Sequence, residues 1–174
     1  MAPTYSLISG QTLITTAATI TFSSIPATYT DLQLVASMRS DYVGAFDAFT
    51  LQFNTDTATN YSFTRLDGSG NGGNATASGI SSSAPTIVGT ITGAGATAST
   101  FASVKIDIPN YLIASNKQIR TDSVSEQNVT TANMEANAYL WRNTAAINQI
   151  VINRQTGTVF NIGSSFYLYG IKNS

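Results

Sequence analysis

Asp31-Leu32-Gln33-Leu34-Val35-Ala36-Ser37-Met38 is the stretch that decides the fold. Leu32, Leu34, Ala36 and Met38 fall on every second position, with Gln33, Val35 and Ser37 between them. Successive side chains of an extended chain point to opposite faces, so this segment offers one apolar face to a core. A helix would scatter the same residues around its circumference. The pattern repeats outward in both directions. Phe49, Leu51 and Phe53 alternate with Thr50 and Gln52; Val104, Ile106 and Ile108 enclose Lys105 and Asp107; Phe166 and Leu168 alternate near the end. Met134, Ala136, Ala138 and Leu140 read the same way, as a core face with Tyr139 and Trp141 on the opposite side. Tyr167 and Tyr169 likewise lie opposite the Phe166 face.

Strands are expected over 4–9, 12–22, 31–38, 47–54, 60–66, 85–92, 100–108, 118–127, 134–142, 146–152 and 164–171. Thr, Val, Ile, Tyr and Phe dominate them, as strands prefer. Ser9-Gly10, Ser24-Ile25-Pro26, Asn54-Thr55-Asp56, Ile108-Pro109-Asn110 and Thr156-Gly157 supply turns between them. The expectation is an all-β chain of about ten short strands: a two-sheet β-sandwich, jelly-roll-like, in a single domain over 1–174. Residues 67–83, rich in Gly, Ser and Asn, read as a long loop, and Gly93 to Ser99 as a shorter one of the same kind.

Charged residues make up 10% of the 174, the net charge is −1, and 25 Thr, 20 Ser and 14 Asn fill the gap. Eight scattered Lys and Arg cannot follow a phosphate backbone, so nucleic acid is not an expected partner. No run of about 20 apolar residues is present for a membrane span, and the first residues lack the basic-then-apolar order of a secretory signal. A free monomer ordinarily carries more surface charge, so much of the exterior is expected to face other protein.

The chain has no His and no Cys. That removes the Ser-His-Asp arrangement, thiolate chemistry and His- or Cys-ligated metals; no cofactor and no enzymatic activity are expected. Asp122 and Glu126 share a strand face but stand about 13 Å apart, too far for a glycosidase pair. Asp67-Gly68-Ser69-Gly70-Asn71-Gly72 opens like a calcium loop, yet its twelfth position is Ser78 rather than Glu. Tyr139, Trp141, Tyr167 and Tyr169 stand out as aromatics for a protein interface or a glycan contact.

Several longer pieces carry a resemblance: Tyr5-Ser6-Leu7-Ile8, Ser24-Ile25-Pro26-Ala27-Thr28-Tyr29-Thr30-Asp31-Leu32, Asn60-Tyr61-Ser62 and Ile108-Pro109-Asn110-Tyr111. Leu140-Trp141-Arg142-Asn143-Thr144-Ala145-Ala146-Ile147 and Ser164-Ser165-Phe166-Tyr167-Leu168-Tyr169-Gly170-Ile171 complete it. The chain resembles small virion structural proteins of tailed bacteriophages of marine and cyanobacterial type, described as decoration, cement or tail-fibre-like. The resemblance implies a non-enzymatic protein on the outer surface of the virion, assembled in the host cytoplasm. No attachment domain is expected in front of the β-domain, an expectation that favours capsid cement over a tail-fibre tip. Its partners would be its own copies, as a homo-oligomer such as a trimer, and the major capsid protein or another virion protein. A tail-fibre or surface adhesin module for host carbohydrate is the alternative.

Overall fold

The computed structural model describes residues 4–70, 74–126 and 132–172. These form twelve strands and no helix: β1 (Thr4–Thr12), β2 (Ile20–Phe22), β3 (Asp31–Met38), β4 (Phe46–Phe53), β5 (Tyr61–Ser69), β6 (Thr76–Ser83), β7 (Ile87–Thr92), β8 (Ala102–Ile108), β9 (Lys117–Glu126), β10 (Ala132–Trp141), β11 (Ile150–Arg154) and β12 (Ser165–Lys172). They pair antiparallel into a sheet of eight, β1-β12-β3-β8-β9-β10-β5-β6, and a sheet of four, β2-β11-β4-β7. The quartets β1-β12-β3-β8 and β2-β11-β4-β7 follow jelly-roll order. The hairpins β5–β6 and β9–β10 are insertions, and both extend the same sheet. One sheet therefore overhangs the other.

The core lies between the sheets. Leu34, Met38, Phe49, Leu51, Phe53 and Leu168 are fully buried, as the alternation requires. Strand β10 departs from expectation. Glu135, Asn137, Tyr139 and Trp141 point into the sandwich, while Met134, Ala136, Ala138 and Leu140 face outward. The cause is β7, the edge strand of the small sheet, which lies against β9 and β10 with backbone groups that no further strand satisfies. Side chains of the large sheet supply the partners: Thr121 Oγ1 and Asn137 Nδ2 both donate to the Val88 carbonyl, and Ser123 Oγ accepts from Thr90 N–H. A buried backbone group left without a partner costs about 1–3 kcal/mol, so polarity on this inward face is required.

Where β7 stops pairing, at Thr50, tyrosines take over the edge of β4. Tyr139 donates its hydroxyl to Leu51 O (2.9 Å), and the Tyr61 hydroxyl accepts from Phe53 N–H (3.1 Å). Burial holds both phenols far above their ordinary pKa, so they remain neutral donors. Phe53, Tyr61, Tyr139 and Trp141 form one aromatic cluster with ring centroids 5.5–6.4 Å apart.

Two further corrections concern connections. Residues 67–83 are mostly not loop: β5 runs to Ser69 and β6 pairs with it from Thr76 onward. Backbone hydrogen bonds make β6 a strand; its side chains are almost all exposed, so no apolar alternation was needed to specify it. Of residues 12–22, Thr12 ends β1 and Ile20–Phe22 form β2, with no strand between them. The Gly93–Ser99 loop is wrapped around the buried Arg39 guanidinium, which donates to the carbonyls of Ala94, Ala96, Thr97 and Thr100 at 2.8–3.1 Å.

Other ionisable groups also hold turns. Asp56 accepts from Ala58 N–H, Asn60, Asn143 and the Trp141 indole (2.8 Å). Asp41 accepts from the backbone of Thr158 and Val159, and Asp47 from that of Thr156 and Gly157. Lys117, buried under Trp141, donates to the carbonyls of Ile113 and Ser115.

Tyr139→Phe removes the donor to Leu51 O and is expected to cost about 1–2 kcal/mol in urea unfolding without changing the fold. For Asp41 and Asp56, burial raises the pKa, but the hydrogen bonds they accept outweigh it and leave both below the usual 3.8. A carboxyl depressed in the folded state binds a proton more readily when unfolded. Their stabilisation is therefore complete above the unfolded value and is lost as pH falls through the depressed one. Thermal stability should be flat above about pH 5 and fall below pH 4. Trp141, the chain's single Trp, reports the loss by fluorescence, and Asp56→Ala should flatten that acid limb.

Candidate functional site

The inward face of the large sheet is filled, so the surface open to a ligand is its outer face. Strand registers place the residues there in rows. One row runs Leu7, Tyr169, Gln33, Asp107, Arg120, Ala138 and Thr64; the next runs Tyr167, Val35, Lys105, Asp122, Ala136 and Leu66. Tyrosines thus stand at the β1–β12 end, small and aliphatic residues at the β10–β6 end, and charges at the centre.

The central charges form a checkerboard. Lys105 lies opposite Asp122 and Asp107 opposite Arg120 across β8 and β9. Along the strands, Lys105 Nζ is 3.3 Å from Asp107 and Arg120 Nε is 3.0 Å from Asp122. Gln33 Nε2 donates to Asp107 Oδ1 at 2.7 Å. Arg120 and Lys105 are well exposed, at 71% and 51% of their side chains. Exposed pairs of this kind add at most about 1 kcal/mol of stability, so folding alone gives little reason for four charges here. Around them the sheet forms an open trough of about 1350 Å³, reaching from Tyr5 and Ile171 across to Leu66 and Ile80.

Of the aromatics singled out in the sequence, the structure brings two to this face. Tyr167 and Tyr169 lie half-buried on it; the Tyr167 ring spreads over Gly10, where a Cβ would come within 2.3 Å of it, and its hydroxyl meets Thr12 Oγ1 at 3.0 Å. Tyr5, 56% exposed, stands beside Ile171 on the same face. Tyr139 and Trp141 are 1% and 0% exposed and point into the sandwich. They are core residues, with almost no ring surface exposed to a glycan or a partner.

Gln33, Lys105, Asp107, Arg120 and Asp122 were not singled out as a group from the sequence. Lys105-Ile106-Asp107 and Arg120-Thr121-Asp122 share an alternating charge pattern, which was the available signal. They become one cluster only through the β8–β9 pairing. Glu126 accepts a hydrogen bond from Thr97 at 2.9 Å, while Asp122 is held by Arg120. Of the calcium-like run, residues 71 and 72 lie outside the described residues, and Asp67 is engaged by Thr76 Oγ1 (2.7 Å) and Arg65 (3.5 Å). Among the described residues no three acidic side chains gather as metal ligands. No family model matches the sequence, and no curated protein does.

Trp141→Ala opens a cavity in the aromatic cluster and should cost about 3–5 kcal/mol in chemical unfolding. Tyr169→Ala, on the outer face, should cost less than about 1.5 kcal/mol. Similar costs for the two would contradict the assigned faces of β10 and β12.

Proposed function

We propose that the chain is a non-catalytic structural component of the outer surface of a phage particle, a decoration or cement protein acting as a homo-oligomer on capsid or another virion protein. The observation that carries this reading is the condition of the large sheet's two edges. Strands β1 and β6 are exposed along their length and contain neither a charged residue nor a proline. Among the described residues no strand pairs with their outer sides. Soluble monomers protect such edges with charge, proline or a covering segment, because a bare edge is a template for another chain.

The distribution of charge supports the same reading. Arg39, Lys117, Asp41, Asp47 and Asp56 serve loops, leaving a surface rich in Ser, Thr and apolar groups such as Leu7, Leu66, Ile80, Val124 and Met134. A surface of this kind suits repeated contacts across a lattice, where many weak contacts add through avidity. A tail-fibre or surface adhesin for host carbohydrate is the second reading, favoured by the open trough with Tyr5 at one end.

Placing charge on an edge tests the main reading. Ala77→Glu with Ser81→Glu on β6, or Ser6→Glu with Ser9→Glu on β1, should lower the oligomer mass in light scattering while the subunit keeps its unfolding midpoint. Particles lacking the protein should lose their genome at a lower temperature than complete ones. A wild-type monomer, or particles of equal heat resistance, would overturn the proposal.

A further inference from the structure

The geometry of the outer face points to a specific ligand: we propose that the trough binds an uncharged polysaccharide, laid across the strands from Tyr5 to Leu66, with Gln33, Asp107 and Arg120 as its main hydrogen-bonding residues. This deepens the adhesin reading and rests on it.

Shape is the first argument. At about 1350 Å³ the trough exceeds the roughly 300–1,000 Å³ of a small-molecule pocket, and it is open along its length. From β12 to β5 it crosses five inter-strand spacings, about 24 Å. A chain fits such a groove better than a compact molecule.

Charge decides the class of chain. The two cations and two anions at the centre cancel and are already paired with one another. A phosphate or an acidic sugar would meet two carboxylates along with the two cations, and nucleic acid would find no basic track. A sugar hydroxyl both donates and accepts, so it can bridge Asp107 and Arg120 while the Lys105–Asp107 and Arg120–Asp122 pairs stay formed. Gln33, Thr64 and Gln118 offer the same dual character beside them. Hydrogen bonds to charged partners are the stronger ones, and here the side chains are positioned before the ligand arrives, which lowers the entropy cost of binding.

The flanks suit sugar rings. Tyr5 provides flat aromatic surface at one end, and Ala136 and Ala138 leave the floor at the other end low enough for the C–H face of a ring. Protein interfaces concentrate energy in desolvated aromatic and Arg anchors. The centre of this trough instead carries the exposed Lys105 and Arg120 and the half-buried Asp107, charges that a protein partner would have to bury.

The test uses the full-length oligomer and immobilised neutral polysaccharides (a glucan, a mannan and a galactan), with alginate and heparin as acidic comparisons. At least one neutral polymer should retain the protein equally at low and high salt. Arg120→Ala and Gln33→Ala should each weaken retention about tenfold, the equivalent of one charge-assisted hydrogen bond, with unchanged melting temperature. Tyr5→Ala should weaken it as well. Retention on no neutral polymer overturns the adhesin reading and the site together. Retention that survives the Arg120→Ala/Gln33→Ala double substitution keeps the adhesin reading and removes this site. Binding to the acidic polymers alone, abolished by salt, overturns the choice of an uncharged ligand. Loss of Lys105 reactivity toward an acylating reagent in assembled particles would show that virion protein covers the trough, and that too overturns the proposal.

Discussion

The free edge of the smaller sheet is the constraint from which the rest of the structure follows. Four strands face eight, so β7 must end its sheet against the inner face of β9 and β10 rather than at solvent. Its backbone groups demand partners there, and Thr121, Ser123 and Asn137 provide them. Beyond the end of β7, the hydroxyls of Tyr139 and Tyr61 do the same for β4. Once those residues are committed to the inside, the alternation of β10 sends Ala136, Ala138 and Leu140 outward. The alternation of β9 sends Arg120 and Asp122 outward with them. The floor of the trough is therefore a consequence of how the interior closes an edge.

The sparse charge has a comparable logic. In most domains ionisable groups keep the surface soluble. Here Arg39 organises an entire loop through four carbonyls, Lys117 holds a turn beneath Trp141, Asp41 and Asp47 gather backbone N–H groups from a distant segment, and Asp56 gathers the side chains of Trp141 and Asn143. Hydrogen bonds to charged groups are worth about 1.5–3 kcal/mol, more than neutral ones, so a few charges can fix long connections in a fold without helices. The outer rims of the large sheet are left without charge, and this is what makes assembly the natural reading of its edges.

Much of this was legible in the sequence, for reasons that also explain what was not. Leu32 to Met38, Phe49 to Phe53, Val104 to Ile108 and Phe166 to Leu168 follow strict alternation because both neighbours of each inward face are apolar. In β10 the rule inverted. Alternation assumes that the apolar face is the buried one, but Glu135 and Asn137 lie buried in the polar seam over β7, out of sight of any local pattern. Ring size was the clue available: Tyr139 and Trp141 have far more area to bury than Ala136 and Ala138. Strand β6 carried no signal, because its Ser, Thr and Gly side chains bury nothing and backbone pairing alone extends it. Tyr167 and Tyr169 were correctly placed opposite the Phe166 face, while the charge quartet needed knowledge of which strands are neighbours.

The orientation of β9 and β10 underlies both the sealed edge and the open trough, and thiol labelling tests it directly because the chain has no cysteine of its own. A cysteine at Ala138 should react with a maleimide at a rate close to that of the unfolded chain. One at Thr121 should react only as fast as the protein unfolds. Rapid labelling at Thr121 with protection at Ala138 in the isolated protein would turn the sheet inside out and contradict the account.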